Sequence, residues 1–281
     1  MQKHLLIIGS GYLGSHLAEL ARTHGHIATL ASRGGTGDVL SCDLGDADSV
    51  KGMTAHLTEP PDAIVHCASS SRGGTEAYQA VFEKGTENIV SAFPEVPILF
   101  TSSTSVYPQI DGCDIDETSP ANPDRETGKM LRAGEETVLA AGGTVLRLAG
   151  IYGPQRSVYL KRIHDGSATI ESGDVSRWVN QIHRDDAANA ILHLLDYPNA
   201  AGEIYNVCDD APMSQREVYL GLAARLDKPT PPEAPPNMNR KRAWTHKRVI
   251  NQKLKSTGWT PTYPHFIKAL DSDPRLLAAF S

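Results

Sequence analysis

Cysteine is scarce in this chain: four residues in 281, at positions 42, 67, 113 and 208, with no CxxC pair among them. That spacing excludes a disulfide framework and a cysteine-based zinc site. It predicts small buried hydrophobes in a reducing compartment and no metal centre. A basic excess is missing too. Lys and Arg number 27 against 33 Asp and Glu, for a net charge of −6. A nucleic-acid or membrane-surface binder would carry the opposite balance. No apolar run approaches the roughly 18 residues of a membrane span. The apolar stretch near the N-terminus ends at Gly9, too short for a secretory leader. Repeats and low-complexity tracts are absent. The expectation is a cytoplasmic globular protein whose partner is a small molecule, not nucleic acid and not a membrane.

What is present is alternation. Leu5–Ile8 is a short apolar run with β-branched members that stops at glycine, the pattern of a strand buried on both faces. Leu13, Leu17, Leu20 and Ala21 then recur at helical spacing. Further strands are expected at Ile27–Ala31, Val39–Cys42, Ala63–Cys67, Ile98–Ser102 and Thr144–Leu148. Helices are expected around Asp48–Leu57, Tyr78–Ala92 and Lys129–Ala141 between them. Strands alternating with helices of this length specify an α/β fold of Rossmann type, a doubly wound parallel sheet. After Gly150 the pattern loosens. A helix is expected over Asp185–Leu195, a strand at Ile204–Val207, a helix over Ser214–Leu226 and a helical stretch near Lys247–Lys255. Pro229, Pro231, Pro232, Pro235 and Pro236 mark an extended arm. The division read from this is a dinucleotide-binding domain over 1–150 and a smaller C-terminal substrate-binding lobe over 151–281, packed on the first.

Gly9-Ser10-Gly11-Tyr12-Leu13-Gly14 is a GxGxxG that follows the first strand and opens the first helix. In that context Gly9 permits the tight turn, Gly11 lets a pyrophosphate approach the backbone, and Gly14 lets helix and strand touch. The helix N-terminus then turns free N–H groups toward phosphate. An NAD site places an acid at the end of the second strand, on the ribose hydroxyls. Here that strand ends Leu30-Ala31-Ser32-Arg33, with no acid. Ser32 can hydrogen-bond a 2′-phosphate and Arg33 can clamp it, which points to NADP, with NAD still open.

Further segments carry a family resemblance. Asp43-Leu44, His66-Cys67-Ala68-Ser69, Thr101 to Tyr107, Leu146 to Pro154 (with its Tyr152-Gly153-Pro154 turn), Val179 to Ala188 and Tyr205 to Asp210 stand in the order seen in an extended or atypical short-chain dehydrogenase/reductase. The sequence resembles the NAD-dependent epimerase/dehydratase family over roughly residues 4–225. The resemblance implies that Asp43 bonds the adenine amine and Leu44 offers a backbone N–H. It implies that Ala68 and Ser69 line the groove by the nicotinamide ribose, and that Ser103 holds the substrate oxygen. A homodimer would be ordinary for that family.

The sequence departs from the family at its centre. The Tyr-x-x-x-Lys of the family falls, counted from Ser103, on Gly128 and Arg132, with Glu136 one turn further on. The general acid is gone, and a guanidinium cannot replace it because it does not deprotonate. Arg132 keeps the lysine's place at the ribose. A side-chain-free Gly128 would leave room for substrate or water. Tyr152 is the candidate for a relocated acid, and Arg156 and Asn180 are candidates for binding a sugar or an anionic substrate, with Arg177 and Trp178 beside Asn180. Two readings stand: an NAD(P)-dependent oxidoreductase or sugar epimerase/dehydratase-like enzyme, and a non-catalytic NADP(H)-binding regulatory protein.

Overall fold

The computed structural model describes residues 1–70, 73–173, 175–238 and 244–278. Contacts sort the chain into two compact units interleaved along the sequence. One comprises Met1–Val106, Ala121–Arg147 and Ala188–Tyr205; the other comprises Tyr107–Pro120, Leu148–Ala187 and Asn206–Ser281. No single cut after Gly150 separates them.

The first unit is built on a seven-stranded parallel sheet. Its early elements are β1 (His4–Ile8), α1 (Tyr12–Thr23), β2 (Ile27–Ser32), β3 (Leu40–Ser41), α2 (Ala47–Thr54) and β4 (Ala63–His66). Then come α3 (Thr75–Tyr78), a five-residue π segment (Gln79–Glu83), α4 (Lys84–Ala92), β5 (Ile98–Ser103) and α5 (Glu126–Ala140). Across the sheet the order is Ile204–Val207, Thr144–Leu148, β5, β4, β1, β2, β3. β1 lies between β2 and β4, with Leu5 opposite both Ala28 and Ala63. The chain reverses its direction of strand addition between β1 and β4, so a crevice opens at their carboxyl ends.

The elements follow from local chemistry. Every residue of β1 and β4 is buried, as a strand covered on both faces requires. α1 buries Leu13, Leu17, Ala18 and Ala21, one stripe at helical spacing. The expected helix over Asp48–Leu57 runs only from Ala47 to Thr54, started by Asp46, whose carboxylate accepts the Asp48 N–H at 3.0 Å. The helix expected from Tyr78 starts at Thr75 and carries the π segment. There the Phe82 carbonyl is bonded by the Thr86 hydroxyl at 2.8 Å and approaches α5 at Gly134. A Cβ on Gly134 would stand 2.3 Å from that oxygen. Glycine is what lets α5 lie this close.

The second unit has a core of Tyr152, Leu160, Ile163, Ile170, Val218, Tyr219, Leu222, Phe266 and Leu270. Its helix Gln215–Arg225 begins on a capping box between Ser214 and Glu217. Short strand pairs connect it, among them Gly150–Tyr152 with Gln181–His183. The expected helix near Lys247–Lys255 is corrected. Arg248–Val249 is a strand paired with Asp114–Ile115, and only Gln252–Ser256 is helical. The Arg248 and Val249 N–H groups go to the Cys113 carbonyl and the Asn180 side chain instead of to a helical turn. The proline-rich arm is not wholly irregular either, since Glu233–Ala234 pairs with Ile170–Glu171.

Candidate active site

The glycine loop sits where the crevice opens. Gly9 has φ +116°, and a Cβ there would lie 2.5 Å from the Ala68 nitrogen. It therefore brings the end of β1 against the end of β4. A Cβ on Gly14 would lie 1.9 Å from the Gly9 carbonyl oxygen, so α1 touches the loop at that point. Gly11 differs: among the described residues, its chain neighbours and its own helix apart, nothing stands within 4 Å of a Cβ built on it. It caps α1, no side chain caps that helix end, and the first turn holds no acid. The positive end of the α1 dipole therefore lies at Gly11, where a backbone without a Cβ lets an anion approach. Ser10 contributes its carbonyl to Ser15 at 2.8 Å, and Tyr12 is half-buried at the helix start. Leu13 belongs to the core.

The neighbouring positions lie around the same edge. Ser32 ends β2, its carbonyl accepting the Cys42 N–H at 3.0 Å, and Arg33 beyond it is exposed with no ion pair among the described residues. Asp43 is exposed. One of its carboxylate oxygens accepts the Gly45 N–H at 3.0 Å. Leu44 is buried, its carbonyl taken by Asn88 at 2.8 Å. Ala68 is half-buried and Ser69 exposed after β4. Under them His66 is fully buried between Phe82 and Phe100. Burial pushes its imidazole down to about 4. Ser103 ends β5 half-buried, its Oγ accepting the Ser105 N–H at 3.2 Å. That bond uses an acceptor lone pair and leaves the hydroxyl proton to give.

At Gly128 the structure corrects the expectation of free room. A Cβ there would lie 2.5 Å from Cβ of Pro123 and 3.0 Å from its Cγ. The proline ring fills the place. Further along α5, Arg132 bonds Glu135 through Nη1 and Glu136 through Nη2, the latter at 3.1 Å. It borders a cleft of about 540 Å³ lined by Asn122, Pro123, Lys129 and Glu136. The acid that matters for packing is Glu135, which the sequence reading passed over in favour of Glu136. Glu135 is fully buried and Glu136 is largely exposed. Glu135 also accepts from Ser102 and from Arg147, whose Nη2 is 2.7 Å away. A signal existed: Arg147 lies inside a strand, and a buried guanidinium demands a carboxylate.

The second unit places its candidates less favourably. Tyr152 is 1 % exposed, edge-on to His183 at 5.2 Å and to Phe266 at 4.7 Å. Burial, then the Asp209 charge, push its phenol well above the ordinary tyrosine range. A group so sealed and so weakly acidic does not suit a proton shuttle. Asn180 spends both ends of its amide on backbone, donating to the Lys247 carbonyl at 3.0 Å and accepting from the Val249 N–H at 2.8 Å. Arg156 is exposed on a turn closed by mutual backbone bonds with Gly153. Arg177 is buried and paired with Glu171 at 2.8 Å. Lys247, unforeseen, is 3 % exposed, donates to the Tyr107 carbonyl and is pushed down to about 8 by burial. His183, Asp185 and Asp273 bring metal-ligand atoms within 4.8 Å of one another. Arg275 already bridges Asp185 at 2.6 Å and Asp273 at 2.7 Å, so a guanidinium supplies the positive charge there. No helix among the described residues is long and apolar enough to cross a membrane.

Comparison with known proteins places the fold and the family. UDP-glucose 4-epimerase of Vibrio cholerae is 24 % identical over 256 residues, covering 82 % of this chain and 78 % of that protein. The fold is shared with the Thermus thermophilus UDP-glucose 4-epimerase solved with NAD, at 22 % identity and TM-score 0.79 over 99 % of this chain and 98 % of that one. It is shared too with the Bordetella bronchiseptica enzyme WbmG solved with NAD, at 18 % identity and TM-score 0.84 over 100 % and 96 %. The family model for the NAD dependent epimerase/dehydratase family matches residues 5–208. The chain is therefore a member of the NAD-dependent epimerase/dehydratase family.

Proposed function

We propose that the protein binds NADP(H) in preference to NAD(H) at the carboxyl ends of β1, β2 and β4. There it performs slow redox chemistry on a small sugar-like or anionic molecule. The observation that carries the reading is the open cradle at Gly11. No side chain caps it, its first turn holds no acid, and among the described residues nothing beyond its own chain neighbours and helix stands within 4 Å of the missing Cβ. A pyrophosphate fits such a place. Relatives solved with NAD support a nicotinamide dinucleotide. The finer choice of NADP rests on Ser32 and Arg33, where an acid would repel a 2′-phosphate and none stands.

The chain's own residues have limited roles. Asp43 and the Leu44 N–H would hold the adenine end. Ala68, Ser69 and Arg132 would hold the ribose end. When bound, the nicotinamide supplies or accepts a hydride. Ser103 can donate its hydroxyl proton as a hydrogen bond to a substrate oxygen, holding it without protonating it. Arg156 remains the candidate for an anionic group, while Tyr152 and Asn180 are assigned to packing. With no acid at position 128, the rate should fall about 10²–10⁴ below that of an enzyme that has one.

The test is consumption of NADPH over a panel of nucleotide sugars and small carbonyl compounds, with Ser103→Ala as the control. The expected result is weak turnover lost in Ser103→Ala. Turnover on the order of 10 per second would show that another residue supplies the proton. The filling of the tyrosine's place by Pro123 favours a second reading, a non-catalytic NADP(H)-binding regulator. Binding without any turnover on the panel is its expected outcome.

A further inference from the structure

The packing of the second unit leaves two buried oxygen atoms unexplained. Tyr152 is 1 % exposed, and its phenol oxygen has no hydrogen-bond partner among the described residues. Asp209 is 3 % exposed, and its Oδ1 has none either. Buried polar atoms are nearly always bonded, so an orphaned one calls for a partner. Both belong to one place. The Asp209 N–H donates to the Gln181 carbonyl at 2.8 Å, which sets Asp209 beside the strand Gln181–His183. That strand pairs with Gly150–Tyr152, with His183 opposite Tyr152. Asp186, a turn beyond His183 in the chain, is 1 % exposed. Of the charges that act on the Tyr152 phenol, Asp209 comes first and Asp186 second.

The charge there is one-sided. Neighbouring acids have their cations: Arg275 bridges Asp185 at 2.6 Å and Asp273 at 2.7 Å, and Lys255 pairs with Asp210 at 3.0 Å. Neither Asp186 nor Asp209 has an ion pair among the described residues. Asp186 accepts the Thr262 N–H on Oδ1 at 2.8 Å and the Tyr263 N–H on Oδ2 at 2.9 Å. Burial, then the charges of Asp210 and Asp186, push the Asp209 carboxyl well above the ordinary range, and the Ala211 N–H works the other way. A buried carboxylate without a counter-charge is costly and is relieved by a proton or by a cation. A proton on Asp209 would still leave the phenol oxygen orphaned, whereas a cation takes a lone pair from each. The donor set decides its class. Phenol and carboxylate oxygens suit a hard ion. The adjacent Cys208 thiol is already given to the Val249 carbonyl at 3.3 Å. Among the described residues Asp209 is in no group of three metal-ligating side chains within 4.8 Å of one another, the tighter arrangement that a divalent ion asks for.

We propose that the second unit binds a monovalent alkali cation, potassium or sodium, between the Tyr152 phenol oxygen and Asp209 Oδ1. The ion supplies the counter-charge that Asp209 lacks and ties the segment Asn206–Asp210 to the strand Gly150–Tyr152. Its binding does not depend on the dinucleotide.

The experiment is thermal unfolding of the full chain at neutral pH in potassium, sodium and choline chloride, all at one ionic strength. An ion at roughly ten times its dissociation constant raises the unfolding midpoint by about 2–5 °C. The parent should show that rise in potassium or sodium over choline. Asp209→Asn, which keeps the shape and removes the charge, should lose it. Tyr152→Phe should reduce it, and Asp210→Asn, whose carboxylate already has Lys255, should keep it. Crystals of the parent soaked in rubidium should give an anomalous peak between Tyr152 and Asp209, and its absence overturns the proposal. Equal midpoints in the three salts overturn it, as does an alkali response that survives in Asp209→Asn. A midpoint that Asp209→Asn raises equally in all three salts also overturns it, because Asp209 is then held as the neutral acid. If Asp209→Asn fails to fold, Tyr152→Phe decides, and an undiminished response there overturns the proposal. No arm uses a dinucleotide, so either result leaves the dinucleotide reading untouched.

Discussion

Gly128 and Pro123 occupy one another's space, and that pair explains more about this protein than the missing tyrosine alone. A side chain at 128 cannot be added to the present loop, since its first carbon would stand 2.5 Å from the proline ring. Gly128→Tyr should therefore lower stability by about 1–3 kcal/mol, the usual cost of forcing atoms into a filled site. It should not raise turnover. Pro123→Gly in the same chain should recover most of that loss. Thermal unfolding of the single and double variants checks this, and an unaltered midpoint in Gly128→Tyr contradicts it. Arg33 offers a second test at the scale of one side chain. It is exposed and without an ion pair among the described residues, so Arg33→Ala should leave the fold alone. It should cut NADPH affinity about ten- to a hundredfold and leave NADH affinity nearly unchanged. Equal losses for both cofactors would remove Arg33 from the 2′-phosphate. Residues at this scale were unevenly legible. Gly9 and Gly14 announce themselves because backbone geometry admits nothing else there, and Gly11 announces itself by its place in the motif. Glu135 was hidden by its neighbour Glu136, because adjacent acids on a helix look alike in sequence and only the packed face tells which one is buried.

Among the elements, the segment from β4 through the π turn to β5 encloses a histidine whose titration is shifted by burial. His66 is buried at the end of β4, with Nε2 3.0 Å from the Val81 carbonyl of the π segment. Burial depresses its imidazole to about 4, below the ordinary 6.5. The folded state therefore favours the neutral ring. The stability it contributes is fully present above pH 6.5 and is lost as pH falls toward 4. The loss from this group should reach about 3 kcal/mol at the acid end. His66→Phe keeps an aromatic ring beside Phe82 and Phe100. Urea unfolding at pH 7 and pH 4.5 should show a smaller acid loss in the variant by about 2–3 kcal/mol. An unchanged difference between the two pH values would mean that His66 does not titrate in this window. His183, likewise lowered to about 4 by burial, should supply part of what remains. The π segment could not be read from the sequence. Its register depends on the Thr86 hydroxyl and on the close approach of Gly134, two features some fifty residues apart that only folding brings together.

For the whole molecule, the parallel sheet was legible because β1 and β4 are buried at every residue and helices separate β1 from β2, β3 from β4 and β4 from β5. The second unit was not. Its strands are two or three residues long and pair with distant segments, as Asp114–Ile115 does with Arg248–Val249. Periodicity has nothing to measure in so short a run. The interleaving of the two units has the same origin, for segments such as Tyr107–Pro120 leave one unit for the other without any break in composition. The central claim is that a nicotinamide dinucleotide binds at the Gly11 cradle with its 2′-phosphate recognised. Calorimetric titration with NADPH and NADH, on the parent and on Gly11→Val, tests it most directly. Among the described residues the valine Cβ would meet nothing beyond its own chain neighbours and helix, so the fold and the unfolding midpoint should persist. The account predicts that the parent binds NADPH about ten- to a hundredfold more tightly than NADH and that Gly11→Val binds neither. Equal affinities in the parent, or undiminished binding by Gly11→Val, would contradict it.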